Sequence, residues 1–571
     1  MFRSSMLFVL SICLSCSLLA QDWPRFRGPD GAANAGDANV PVEWSPKANL
    51  GWKTEMPGPG ASSPIVVGDK AFLTCYSGYG ITQEDPGEIE DLVRHLVCVS
   101  LETGEKLWQK DVPVQMPEDT YTGIGVTAHG YASHTPVSDG THVYTFYGKS
   151  GVHAYDMDGN KVWEAQVGKE SDPRRWGSSC SPILHEDLLI VVAACESQSV
   201  IGFNKLTGEE VWRQEASGLD NMWGTPTMVK VDDERTDLVM CVAREMWGMN
   251  PNNGELVWYS EATAATQAYS SVIPNGKRVY AFMGGRSGGG SVAIDVGGTG
   301  DVSETNKVWT GRDSASYSSP VRHDDRIFLV TRNILYTVDA ETGERLDQQR
   351  LKGTEQTGGR FGSLDYPSPV VANDHLYYMN GSGQMFVYSL GEDIEQVALN
   401  KVTTDKEIFW GSPAISGDKM LLRSSNYLYC VANKGETVDA ADNLMAKADE
   451  GGEAEEEATP RQRPQRRTPA DMFKQFDSDS DGKITAAELE GNQFAERLMS
   501  LDKDEDGAVS EEEFTTGLPT LQQRQRGGGG ARGGGGGGAR GGNRGGGGGA
   551  RGGGGQDSRP ERPQRPKSAG Q

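Results

Sequence analysis

The chain has 571 residues, a formal net charge of −25, 36% hydrophobic residues and 75 glycines. That length allows several domains, and the acidic balance argues against nucleic acid as the partner of the protein as a whole. After the first twenty residues no stretch is apolar for the ~20 residues that a spanning helix needs, so no transmembrane span is expected.

Residues 1–20 read as a secretory signal peptide. Arg3 is the charged start, Met6 to Leu19 is apolar, and Ala20 is the last residue before cleavage. A membrane anchor is the alternative, but about fourteen apolar residues fall short of the ~20 required. Cys16 could carry a lipid, although Cys13 fits such a site poorly. Removal of the signal leaves Cys75, Cys98, Cys180, Cys195, Cys241 and Cys430. Export permits disulfides, yet six scattered cysteines in a large domain read as buried thiols. No CxxC occurs among these six, so neither zinc nor haem is signalled.

Residues 21–434 form the large domain, and from about residue 50 it repeats itself. Units open at Ser63-Pro64, Thr135-Pro136, Ser181-Pro182, Thr225-Pro226, Ser271-Val272, Ser319-Pro320, Ser368-Pro369 and Ser412-Pro413. After a first interval of 72 residues the spacing is 44 to 49. Gly-Asp and Asp-Gly steps such as Gly68-Asp69 and Asp139-Gly140 mark one hairpin turn. A later turn leads into a tryptophan, as in Thr103-Gly104-Glu-Lys-Leu-Trp108 and Thr207-Gly208-Glu-Glu-Val-Trp212. Runs such as Leu188–Ala194 and Arg326–Thr331 are buried strands. A four-stranded unit of about 45 residues, repeated radially, is a β-propeller.

The expected fold class is therefore all-β, an eight-bladed propeller. Its last unit stops before its own tryptophan strand, and Leu50-Gly-Trp52-Lys-Thr-Glu supplies that strand from the N-terminus and closes the ring. Units six and seven lack the tryptophan, which leaves seven blades as the alternative.

Val338-Asp339-Ala-Glu-Thr342-Gly343-Glu and its fellows make a repeat that resembles that of the pyrroloquinoline-quinone propellers. That family includes quinoprotein alcohol dehydrogenases and BamB, an outer-membrane assembly lipoprotein. The opening Asp22-Trp23-Pro-Arg-Phe-Arg-Gly28-Pro also resembles envelope propellers of unassigned role. The resemblance implies the fold and says little of function. Quinoprotein dehydrogenases of the family carry an adjacent cysteine pair at the cofactor. This chain has none, so no catalytic or cofactor-binding residue is carried over and the quinone is not expected.

In the expected strand order A to D, the B–C and D–A loops share one face. The insertions at 77–94, 113–132, Gly284–Gly290 and 352–365 fall there, with Tyr79, Tyr121, His129, Arg286 and Arg360. They read as a binding face on a rigid scaffold, against variable surface loops. His129 and His134 stand without acidic partners at a telling spacing and read as structural.

Residues 435–469 lose the β pattern and read as a flexible linker, acidic and then basic and proline-rich. In the module 470–519 two twelve-residue loops follow. The first is Asp477, Asp479, Asp481, Gly482, Lys483, Ile484, Thr485 and Glu488 at positions 1, 3, 5, 6, 7, 8, 9 and 12. The second repeats it with Asp502, Asp504, Asp506, Gly507, Ala508, Val509, Ser510 and Glu513. This is EF-hand spacing, with two calcium ions expected. Three Asp carboxylates converge, the Lys483 and Ala508 carbonyls supply position 7, and Thr485 and Ser510 ligate or hold water. Glu488 and Glu513 close each shell. Ile484 and Val509 pair between the loops, while Phe473, Phe476, Phe494, Leu498, Leu501 and Phe514 form a small core that folds largely on metal binding.

The tail 520–571 has 21 glycines within 527–555 and reads as disordered. It resembles RGG segments that bind RNA, but it has no aromatic side chain to stack bases, and a solvated spacer is expected. The sequence thus points to an exported calcium-binding propeller acting as a binding or scaffold protein, periplasmic, outer-membrane-associated or extracellular. Its partner is a protein or an envelope polymer. The alternatives are a quinone-dependent oxidoreductase and a BamB-like assembly factor.

Overall fold

The computed structural model describes residues 21–82, 85–120, 131–172, 175–284, 288–355, 366–446, 448 and 561–563. In the C-terminal module it describes 473, 476, 477, 479, 481–486, 488, 489, 498–504 and 506–517. The chain divides into two compact units, 1–453 with 557–571, and 454–556. The signal segment, Tyr121, His129, Arg286, Arg360, Phe494 and the Gly-rich run all lie outside the described residues.

The first unit is an eight-bladed propeller of antiparallel sheets. Blades 1 to 3 span 65–113, 137–165 and 183–215. Blade 4 is 227–261 with a parallel fifth strand, Gly300–Asp301, on its outer edge. Blades 5 to 7 span 273–311, 321–350 and 370–400. Blade 8 is 414–432 completed by the strand Leu50–Glu55. Sheets pack face to face around the ring, so inner strands such as Leu188–Ala193 are buried along their whole length.

The repeated opening residues have one shared task. The Ser63 N–H donates to Thr135 Oγ1 at 2.9 Å, the Thr135 N–H to Ser181 Oγ at 3.0 Å, and the Ser181 N–H to Thr225 Oγ1 at 3.0 Å. Thr225, Ser271, Ser319 and Ser368 pass the same bond to Ser271, Ser319, Ser368 and Ser412 at 2.9–3.0 Å. The Ser412 N–H donates to Ser63 Oγ at 2.9 Å and completes the circle. All eight residues are buried. Each unit has one donor and one acceptor here, and the ring leaves neither unmet.

A second interlock runs in the same sense farther out. The Trp52, Trp108, Trp163, Trp212 and Trp309 indoles donate to the carbonyls of Leu101, Met157, Lys205, Pro251 and Ala340 in the next blade, at 2.8–3.2 Å. Each ring lies on a turn glycine, Gly104, Gly159, Gly208, Gly254 or Gly343, whose φ lies between +73° and +84°. A Cβ there would sit within 2.4–2.8 Å of the indole, so glycine is required for contact as well as for conformation. Blades 6 and 7 lack the tryptophan but keep the hydroxyl ring, which is why the count stays at eight.

The expected clasp forms as Leu50–Glu55 pairs antiparallel with Tyr427–Ala432, Trp52 opposite Cys430 and Thr54 opposite Leu428. Upstream of it lies a feature the sequence reading did not foresee. Residues 22–36 cross the axis and touch inner strands of several blades. Trp23 and Val66 exchange backbone bonds at 2.8 and 2.9 Å, Ser138 N–H donates to the Pro24 carbonyl, and Ala35 N–H to that of Val371. Buried Arg27 donates to the Gly31, Ser319 and Pro320 carbonyls at 3.0, 2.9 and 2.5 Å. Asp22 accepts from Gly68 and the Gly36 carbonyl from Asn373, both at A–B turns. The segment therefore fills the A–B end of the channel.

Ser271→Ala leaves the buried Thr225 N–H without its acceptor. It is expected to cost about 1–3 kcal/mol, seen as a lowered thermal midpoint, whereas Ser271→Thr, which keeps the hydroxyl, should stay near wild type.

Candidate functional site

The strand order confirms that the B–C and D–A connections share one mouth, and they divide it into two halves. One half is aromatic. Trp176, Trp223, Tyr269, Tyr317, Tyr366 and Trp410 stack in series, with successive centroids 5.6, 5.1, 5.2, 4.8 and 5.8 Å apart. Five of them stand two residues before a ring hydroxyl, as in Trp223-Gly-Thr225 and Tyr317-Ser-Ser319. The ring therefore fixes their positions. Trp176 and Tyr317 at 37% exposure are the most open of the arc to solvent. The sequence reading missed the arc, although the recurring aromatic at that offset was a usable signal.

The other half, over blades 1 to 3, is polar. Buried Arg94 donates to Glu118 at 2.5 Å, to Ser150 Oγ at 2.9 Å and to the Tyr131 carbonyl at 3.1 Å. Lys149 donates to Ser171 Oγ and pairs with Asp119, both at 2.8 Å. These cations anchor the insertion after blade 1. Tyr79 packs there against Tyr131 at 5.9 Å. His134 is buried against Phe146, with Nε2 3.1 Å from Ser178 Oγ. Ser178 in turn donates to Glu196 at 2.6 Å. Serine sits between the histidine and the carboxylate, so this is not the order of a nucleophilic triad. Burial pushes the Glu196 carboxyl up to about 7.

The fold's quinone ligands find no fit. The six cysteines described are free thiols, five of them buried. Cys180 donates to the Gly224 carbonyl, and burial raises the thiols it encloses.

The C-terminal unit places its acidic residues as calcium chemistry needs. Carboxylate oxygens of Asp477, Asp479 and Asp481 lie within 4.8 Å of one another, and so do those of Asp502, Asp504 and Asp506. Gly482 and Gly507 make the turn at φ +85° and +88°. Their N–H groups bond Asp477 and Asp502 at 3.0 Å. Lys483–Thr485 pairs with Ala508–Ser510, Ile484 opposite Val509, so both position-7 residues begin the ribbon. Glu488 folds back to accept from the Thr485 N–H and hydroxyl at 2.8 and 3.0 Å. Glu513 accepts likewise from Ser510 at 2.9 and 2.8 Å and from the Lys503 N–H at 2.8 Å. These donors hold the Glu513 carboxyl down, to about 2. Asp502 Oδ1 is buried without a hydrogen-bond partner. An all-oxygen donor set with an orphaned carboxylate oxygen fits a hard divalent cation. Phe473, Ile484, Leu489, Leu498, Leu501, Val509 and Phe514 form the core beneath, and a helix follows at 511–517.

One contact crosses between the loops. Lys483 Nζ donates to Asp506 Oδ2 at 2.7 Å, which raises the lysine and lowers the aspartate. Lys483→Met removes a cation that competes at loop two. Its calcium affinity should rise up to about five-fold, as befits an exposed pair, in a calorimetric titration. For Glu196 the folded-state value lies above the ordinary 4.5, so its contribution is intact below about 4.5 and is lost as pH rises through about 7. Melting curves from pH 5 to 8 should show wild type losing roughly 2–3 kcal/mol relative to Glu196→Gln.

Residues 94–349 match the repeat family described as outer membrane protein assembly factor BamB. Residues 470–491 and 494–518 match the EF hand. No curated protein matches in sequence. Among solved structures, BamB from Moraxella catarrhalis is 11% identical, covering 68% of this chain and 99% of its own, with a TM-score of 0.47. A europium-containing methanol dehydrogenase is 10% identical, covering 70% and 89%, with a TM-score of 0.47. The C-terminal WD40 domain of Sif2 is 11% identical, covering 73% and 99%, with a TM-score of 0.42. The chain thus joins a propeller domain of the BamB-like, pyrroloquinoline-quinone repeat family to an EF-hand domain.

Proposed function

We propose that this chain is an exported calcium-binding propeller that acts as a binding or scaffold protein in the cell envelope. The observation that carries the reading is the pair of loops with converging carboxylates, joined to a propeller plugged on one side. Each loop takes one calcium ion. Asp477, Asp479, Asp481, the Lys483 carbonyl, Thr485 and Glu488 hold the first. Asp502, Asp504, Asp506, the Ala508 carbonyl, Ser510 and Glu513 hold the second. Affinities between ~10⁻⁶ and ~10⁻³ M suit loops of this charge. The B–C and D–A face offers an aromatic arc beside buried ion pairs, which suits a protein segment or envelope polymer with both apolar and charged groups. Residues 1–20 direct export, and the BamB-like repeat supports an envelope address.

Calorimetry on the full chain is expected to show two calcium sites, and the double variant Asp477→Asn with Asp502→Asn to lose both. Equal calcium binding by the two proteins would end the reading. Deletion of residues 2–20 should leave the protein in the cytoplasmic fraction.

A further inference from the structure

The Gly/Arg-rich tail ends in three arginine–proline steps, Arg559-Pro560, Arg562-Pro563 and Arg565-Pro566. They recur every three residues, the period of a polyproline II helix. Proline also holds the residue before it extended. One of these steps, within Glu561-Arg562-Pro563, returns to the propeller.

It lands on blade 4. Glu245 begins the third strand of that blade and is 1% exposed. The Trp247 indole donates to Glu245 Oε2 at 2.9 Å and fixes the carboxylate. Arg562 Nε donates to the same oxygen at 2.9 Å, and Nη2 to Oε1 at 2.6 Å. The guanidinium also lies over the Tyr259 ring, 3.2 Å from its centroid. The backbone is held too. The Gly218 N–H donates to the Glu561 carbonyl at 3.0 Å, and Ser217 Oγ to the Glu561 carboxylate at 2.7 Å.

A buried carboxylate at a sheet end is costly unless a cation meets it. Among the described residues Arg562 is the cation that pairs with Glu245. A planar, two-pronged partner stacked on an aromatic ring is what arginine supplies and lysine does not. Glu245 also lines an adjoining cavity of about 500 Å³ with Arg244, Glu261 and Thr263.

We propose that the Glu245–Trp247–Tyr259 groove is a receptor site for extended arginine–proline segments, and that the chain's own Arg562 is its resident ligand. The tail is thereby tied back to the propeller. A free peptide of the same chemistry exchanges with it.

The test uses the full-length chain carrying Arg559→Ala, Arg562→Ala and Arg565→Ala, and a fluorescent synthetic peptide of residues 557–567. Anisotropy should show the peptide binding this chain at least ten-fold more tightly than wild type, where the tethered copy competes. Adding Glu245→Gln should cost a further ten-fold or more, as should a peptide with Arg562→Lys. If Glu245→Gln lowers the melting temperature, Tyr259→Leu replaces it, since it removes the stacking face and leaves the buried carboxylate. Absence of peptide binding to the triple variant, or equal binding after Glu245→Gln or Tyr259→Leu, would overturn the proposal.

Discussion

Everything in the propeller leans on a backbone amide meeting a hydroxyl eight times over. Each N–H that opens a blade is buried and cannot reach water, so the following blade must present Ser or Thr at the matching place. The bonds all run head to tail, and each polarises the next. This condition also outranks the tryptophan interlock. Blades 6 and 7 dispense with the indole, while Ser319 and Ser368 keep the hydroxyl.

The ring also decides where chemistry can happen. Where a D–A connection carries an aromatic two residues before its hydroxyl, that aromatic is pinned with it, and the arc from Trp223 to Trp410 follows. The opposite end is filled by residues 22–36, with Arg27 bonded to carbonyls beside Ser319. The calcium module follows a different logic. Its carboxylates are spaced for an ion, and its hydrophobic core is seven buried side chains among the described residues.

Much of this was legible because it is written in periodic or local signals. The eight Ser/Thr steps, the Gly-x-x-x-Trp turns and the missing eighth outer strand gave blade number and clasp. The EF-hand spacing singled out the two loops, and the Ile484–Val509 pairing followed from it. What stayed hidden depends on long-range meetings with no repeat to announce them. The resemblance of residues 22–28 to certain propellers gave no hint that Arg27 reaches blade 6, and nothing near Glu245 tells that a residue more than three hundred positions later will meet it. The aromatic arc lies between these cases. It is periodic, yet it sits beside a hydroxyl–proline step that marks the same period more strongly.

The clasp has a temporal consequence. Leu50–Glu55 is made first and its partner Tyr427–Ala432 last, so a growing chain carries an unmatched strand edge until almost the whole propeller has been synthesised. The hydroxyl circle is likewise open until Ser412 meets Ser63. A nascent propeller of this design cannot finish folding piecemeal from its N-terminus. The edge of Leu50–Glu55 stays unpaired and pairing-prone until residues 427–432 arrive, so it depends on protection along the way.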